Sequence, residues 1–159
     1  MSDSPSPHKA TDNLASLALV LLQFVLMAVI AWRAGPSFLA LQASALAWVV
    51  LAAGIALGVW AVSANRPGNF NIRPLPKAGG QLVRNGPYAY IRHPMYASIL
   101  LGALALVLDT PSPLRWAIWG VLLVDLIVKL TYEETLLVAH HPEYAALQQR
   151  TKRLAPFIY

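Results

Sequence analysis

LASLALVLLQFVLMAVIAW, residues 14 to 32, decides the fold. It is apolar apart from Ser16 and Gln23, and roughly 19 residues at 1.5 Å per residue match a hydrocarbon core of about 30 Å. As a helix it crosses a bilayer. Arg33, Gly35 and Pro36 close it, and Phe38 to Val62 supplies a second, longer apolar run that can span with some tilt. Composition agrees. Apolar residues make up 57% of the chain and charged residues 12%, with a mean hydropathy of +0.54, whereas soluble domains average about 25% charged. A soluble fold of 159 residues has too little interior to hide that much apolar surface.

The length is that of one domain, and the absence of cysteine excludes disulfides, thiolate catalysis and Cys-type zinc sites. A formal charge of +5 would point to nucleic acid if it formed a patch on a polar surface. Here the basic residues flank apolar segments, so the positive-inside rule accounts for them and no nucleic-acid partner is expected. Residues 1–13, including the polar, Pro- and Ser-rich SDSPSPHKATDN, read as a disordered tail, not a cleaved signal.

From residue 64 the character changes to ANRPGNFNIRPLPKAGGQLVRNGPYAYIRH, rich in Pro, Gly, Asn and Arg. Structureless connections of more than about 15 residues are usually functional or disordered, and the aromatic and apolar residues in this one favour function. Met95 to Leu108 is apolar but short, begins at Pro94 and ends at Asp109 before the breaker TPSP. Leu114 to Tyr132 is a fourth span. Asp125 and Lys129 lie four apart on it and can pair on one face, as a functional or a structural couple. The remainder, from Glu133 to Tyr159, reads as a polar helical extension and a tail.

The expected fold is therefore an all-α integral membrane protein of about four transmembrane helices, with spans one and two in 14–65 and the loop, hairpin and tail in 66–159. Arg33 and Arg115 are the basic residues of the first and third connections, while Arg66, Arg73, Lys77, Arg84, Arg92, Arg150, Lys152 and Arg153 crowd the second connection and the tail. Both termini and the long loop are thus expected in the cytoplasm. Gly54 and Gly58 form a GxxxG pair that predicts close helix packing, either within the chain or in a homodimer.

This topology brings two charged groups together. Arg92 and His93 start helix three, Glu133 and Glu134 end helix four, and an antiparallel hairpin sets them at one depth. With Tyr88, Tyr90 and Tyr96 nearby, such a site suits a zwitterionic, partly aromatic ligand, and the helix start at Pro94 favours an anion. Adjacent glutamates point about 100° apart on a helix. One is expected on the ligand and the other on the Arg-rich loop. His140 and His141 have the same difficulty as metal ligands, so no metal site is expected.

The run GPYAYIRHPMY at 86–96 followed by Glu133-Glu134 resembles the C-terminal core of the isoprenylcysteine carboxyl methyltransferase and phospholipid methyltransferase family, and GNFNIRPLPKAGGQLV at 68–83 is similar to the lead-in of its bacterial members. The resemblance covers about 66–159. It implies a small membrane methyltransferase of the bacterial inner membrane that takes S-adenosylmethionine between the loop and the hairpin and a lipophilic acceptor from the bilayer. It places the reaction on Arg92, His93 and Tyr96. The cofactor falls to Tyr88, His93, Pro94, Tyr96, Glu133, Glu134 and Arg153. Ala97 and Ser98 depart from the Gly common after the Tyr in these enzymes.

Plainer readings exist for the same residues. Arg92 can snorkel to lipid phosphate, His93 can be a structural hydrogen-bonding residue, and the tyrosines can belong to an interfacial aromatic belt. Two rival functions follow. The motif and the tail RLAPFIY at 153–159 are also similar to membrane sterol reductases, which bind a nicotinamide dinucleotide, although Met95 and Ala97-Ser98 differ from their RHPNY-Gly-Asp pattern. The other rival is a non-catalytic membrane subunit with the same fold.

Overall fold

The computed structural model describes residues 7–65, 82–156 and 159. In chain order the elements are α1 (Pro7–Leu39), α2 (Ala45–Ala64), a 3-10 turn (Gly86–Ala89), α3 (Pro94–Asp109), α4 (Pro113–His140) and α5 (Tyr144–Arg150). The fold is all-helical. Among the described residues the only β pairing is an isolated parallel bridge between Ile91 and Lys152.

Two segments, Leu14–Trp32 and Ala45–Ala64, are long and apolar enough to cross a membrane, and α3 is a shorter apolar helix. The other two expected spans lack that signature, because α3 has only 16 residues and α4 carries Arg115, Asp125 and Lys129 within its length. The backbone from Pro7 to Asn13, expected in the tail, belongs to α1. The tail's first six residues and loop residues 66–81 lie outside the described residues.

Helix starts follow local chemistry. Ser44 caps α2 by accepting from the Ala47 amide at 3.2 Å, and Ser112 caps α4 by accepting from the Arg115 amide at 3.3 Å. Pro94 and Pro113 occupy first-turn positions, where a missing N–H costs nothing.

α3 is the central helix, packed against α1, α2 and α4. It meets α2 across glycine: a Cβ on Gly54 would lie 3.1 Å from the Gly102 nitrogen and 3.2 Å from the Ser98 oxygen, and one on Gly58 would lie 3.2 Å from the Ser98 hydroxyl. The glycine pair thus packs closely against α3 within the chain. Ile30, Leu100, Ala103, Val107, Leu122 and Leu126 form the core between α1, α3 and α4.

One end of the bundle is tied by polar bonds. The Asp109 carboxylate accepts from the Ser37 hydroxyl and, at 2.9 Å, from the Ser44 amide, which joins the α1–α2 connection to the end of α3. Arg115 donates to the carbonyls of Thr110 at 2.8 Å and Ile30 at 2.5 Å. The site described next occupies the other end.

α4 is polar inside and apolar outside. Arg115, Asp125, Lys129 and Glu134 are buried, while Leu114, Val121, Val124 and Val128 form an exposed stripe. A soluble helix has the reverse pattern.

Candidate functional site

The segment leading into α3 is positioned by a glycine that no other residue can replace without strain. Gly86 has φ of +59°, and a Cβ there would come within 2.6 Å of the Ala64 Cβ and 3.2 Å of the Trp60 Nε1. The 3-10 turn is thereby laid on the end of α2, with the Tyr90 ring 6.4 Å from that of Trp60. Next the C-terminal tail pairs with the chain. The Arg92 amide donates to the Lys152 carbonyl at 2.8 Å, the His93 amide to the Arg153 carbonyl at 3.0 Å, and the Lys152 amide to the Tyr90 carbonyl at 3.1 Å. α3 starts immediately afterwards, so Arg92 and His93 are fixed by backbone bonds on one side and a helix on the other.

Glu134 gathers these residues. It is 3% exposed, and its oxygens accept from Arg92 Nε at 2.6 Å, Arg153 Nε at 3.1 Å and Gln148 Nε2 at 3.4 Å. The His93 Nε2 lies 3.2 Å away and the Tyr144 hydroxyl 3.5 Å away. Arg92 continues to the carbonyls of Thr151 and, at 3.3 Å, Gln148. Burial alone would raise the Glu134 carboxyl, but the hydrogen bonds from His93 and Arg92, and their charges, override it and hold it down to about 2. Of the two adjacent glutamates it is thus Glu134 that bonds to Arg92.

Glu133 faces elsewhere. Its carboxylate is 29% exposed, accepts from the Tyr96 hydroxyl at 2.9 Å and lies 3.8 Å from the His93 Nδ1. The His93 and Tyr96 rings are stacked, 5.4 Å apart and within 3° of parallel. Together they wall a cavity of about 350 Å³ whose lining also includes Tyr88, Arg92 and Pro94. Burial, assisted by Glu133, pushes the Tyr88 hydroxyl up to about 12, so it stays a neutral donor.

Of the residues singled out by sequence, Tyr88, Arg92, His93, Pro94, Tyr96 and Glu133 line this cavity. Glu134 and Arg153 are bonded behind them, and Tyr90 is exposed beside Trp60. Residues not singled out as site residues complete it. Lys129 and Gln23 lie on the floor, Phe24, Met27 and Ile99 form the apolar side, and Tyr144 and Thr151 support Glu134 and Arg92. Gln23 had one legible signal, since an amide in the middle of an apolar span needs a partner.

The expected Asp125–Lys129 couple takes a different form. The Lys129 ammonium donates to Gln23 Oε1, and it forms no ion pair within 4 Å with Asp125, whose two oxygens lack a hydrogen-bond partner among the described residues. The i and i+4 spacing put both on one side of α4, but Gln23 of α1 sits closer to the lysine tip. His141 sits 3.8 Å from Glu143, and among the described residues no three metal-ligating side chains cluster.

The cavity does not end at its polar walls. Phe24, Met27 and Ile99 also border an open apolar groove of about 580 Å³ between α1, α2 and α3, with Gly54, Gly58 and Gly102 at its base. A small cavity lined in part by charged and tyrosine side chains thus adjoins a long apolar surface. Such an arrangement can bring a bilayer-borne molecule to a water-borne one.

A family model for phospholipid methyltransferase matches residues 39–143, which takes in α2 to α4 and, of the site residues expected from sequence, all but Arg153. No curated protein matches at a significant level. The match covers well over half of the chain, and the chain belongs to the phospholipid methyltransferase family.

Proposed function

We propose that the chain is an S-adenosylmethionine-dependent methyltransferase that acts on a lipophilic acceptor at the membrane surface. The observation that carries this reading is the border that the cavity, with its charged and tyrosine side chains, shares with the apolar groove at Phe24, Met27 and Ile99. The residues present suit the cofactor. A cavity of about 350 Å³ lies at the small end of ligand sites, which run from about 300 to 1,000 Å³, and it offers a carboxylate for cationic groups and aromatic rings for a sulfonium or a base. Glu133, Tyr88, His93 and Tyr96 would hold it. When bound, the cofactor supplies an electrophilic methyl on a sulfonium, which is already a good leaving group.

The protein's own residues then have positional work. The Tyr96 ring, stacked on His93 and bonded through its hydroxyl to Glu133, fixes one wall. Phe24, Met27 and Ile99 exclude water on the side that opens to the groove. Arg92, Glu134 and Arg153 hold the tail against the start of α3 and keep the wall rigid. Alignment and dryness of this kind account for large accelerations without proton transfer.

In the same reading α1 to α4 all span the membrane. The valine stripe on the outside of α4 supports this, because its charged residues turn inward and leave an apolar face for lipid. The site then lies on the cytoplasmic side with the tail. The chain has no native cysteine, so single cysteines report sidedness cleanly. On intact cells, Gln149→Cys is expected to resist an impermeant thiol reagent and Gln42→Cys to react. Reversed labelling would invert the topology.

The function itself is tested by calorimetric titration of the purified chain with S-adenosylmethionine, S-adenosylhomocysteine and NADPH. Binding of the first two, weakened at least about tenfold by Glu133→Ala through loss of a charge-assisted contact, is the expected result. Binding of NADPH alone would favour a reductase. Binding of none would leave a non-catalytic subunit.

A further inference from the structure

Lys129 is the charged cavity residue that neither the cofactor site nor the Glu134 cluster uses. It is 1% exposed and yet lines the cavity. Its ammonium carries three N–H donors. Among the described residues it makes one hydrogen bond, to the neutral Gln23. Asp125, one turn away, is buried with both oxygens unpartnered, so it balances the charge without capping the ammonium. A buried ammonium with unused donors is costly unless an anion completes its coordination.

Its position says what that anion belongs to. Lys129 precedes Glu133 by four residues and so lies on the same face of α4, one turn deeper. The Tyr96 ring lies between the two, 5.4 Å from the Lys129 ammonium at its centroid and hydrogen-bonded to Glu133 at its hydroxyl. Beyond Lys129 the wall is Phe24, Met27 and Ile99, which continue into the groove. The order along this path is carboxylate, aromatic ring, ammonium, hydrocarbon surface. At 1.5 Å per residue Lys129 lies about 24 Å from the start of α4, near the inner edge of a 30 Å hydrocarbon core. Lipid headgroups meet their chains at that depth.

We propose that Lys129 binds an anionic oxygen of the methyl acceptor, which is an amphiphile carrying that oxygen at the head of a hydrocarbon chain lodged in the groove. The word acceptor rests on the methyl-transfer reading. The anion site does not. A carboxylate and a phosphodiester present the same chemistry to Lys129, and the probes below separate them.

The test measures binding of radiolabelled oleate, dioleoylphosphatidylethanolamine and oleyl alcohol to the full chain in neutral maltoside micelles. Wild type is expected to hold at least one of the two probes that carry an anionic oxygen about tenfold more tightly than the alcohol, the effect of one charged hydrogen bond. Lys129→Gln should abolish that preference without changing affinity for the alcohol, and Lys129→Arg should keep it. Loss confined to oleate assigns a carboxylate; loss confined to the phospholipid assigns a phosphodiester. If Lys129→Gln does not fold, Gln23→Leu, which removes the acceptor that Lys129 uses in the free chain, should tighten the anion-bearing probe about threefold and spare the alcohol. Absence of preference in wild type, its survival in Lys129→Gln, or an unchanged preference in Gln23→Leu overturns the proposal. Failure of S-adenosylmethionine to bind, with anion preference intact, would instead sink the methyltransferase reading alone.

Discussion

Glu134→Ala is expected to lower stability by about 3–5 kcal/mol and to abolish cofactor binding with it, because removing one member of a buried ion pair strands the other. Arg92 would be left with an 8% exposed side chain and only neutral partners, the carbonyls of Gln148 and Thr151 and the Thr151 hydroxyl. His93 and Arg153 would lose their shared acceptor in the same step. The tail at Lys152 and Arg153 pairs with the backbone at Tyr90, Arg92 and His93, so loosening it releases the wall that leads into α3. Thermal unfolding in detergent measures the effect, and the double variant Arg92→Met/Glu134→Met distinguishes its cause. If the cost is a stranded charge, the double variant is more stable than Glu134→Ala; if each residue contributes separately, it is less stable.

Acid gives the same cluster a second signature. The Glu134 carboxyl is depressed from 4.5 to about 2 in the folded chain. Its contribution is therefore complete above the ordinary carboxylate range and disappears as pH falls from about 4.5 through about 2. Glu133→Ala, by contrast, removes a partly exposed group and should leave stability nearly unchanged while it weakens binding of S-adenosylmethionine at least about tenfold.

The motif residues were legible because their chemistry is local. Arg92, His93 and Pro94 adjoin a helix start, and the antiparallel hairpin brings Glu133 and Glu134 back to the same depth. What sequence could not assign was the work of each group. The two glutamates differ by about 100° around α4, and only the placement of α5 and the tail decides that Glu134 turns to Arg92 while Glu133 faces the cavity. The floor escaped notice for a related reason. Gln23 and Lys129 meet across α1 and α4, a contact between distant segments that periodicity does not encode, whereas the i and i+4 rule pointed Lys129 at Asp125. The glycine pair in α2 announced close packing, but small residues fit any neighbouring backbone equally well, and the partner became known only with α3 in place.

Tyr96→Ala is expected to reduce turnover on the order of a hundredfold, the scale of a misplacement of about 1 Å at a reacting centre, whereas Tyr96→Phe should stay within about tenfold. The ring carries the effect: it stacks on His93, lies beneath Lys129 and forms part of the cavity wall. Phenylalanine keeps all of that and gives up one hydrogen bond, to Glu133. Alanine admits water and lets His93 move. If the acceptor's reacting group is a carboxylate, it is ionised at neutral pH and needs no base, so His93→Ala should reduce turnover without altering the shape of the pH–rate profile. The decisive measurement is that profile for wild type, Tyr96→Ala and His93→Ala with whichever acceptor proves active. A limb near the ordinary histidine range in wild type, absent from His93→Ala, would make His93 a general base. The reacting group would then be an amine or a thiol, and the anionic oxygen held at Lys129 would lie beside it in the acceptor, apart from the bond being formed.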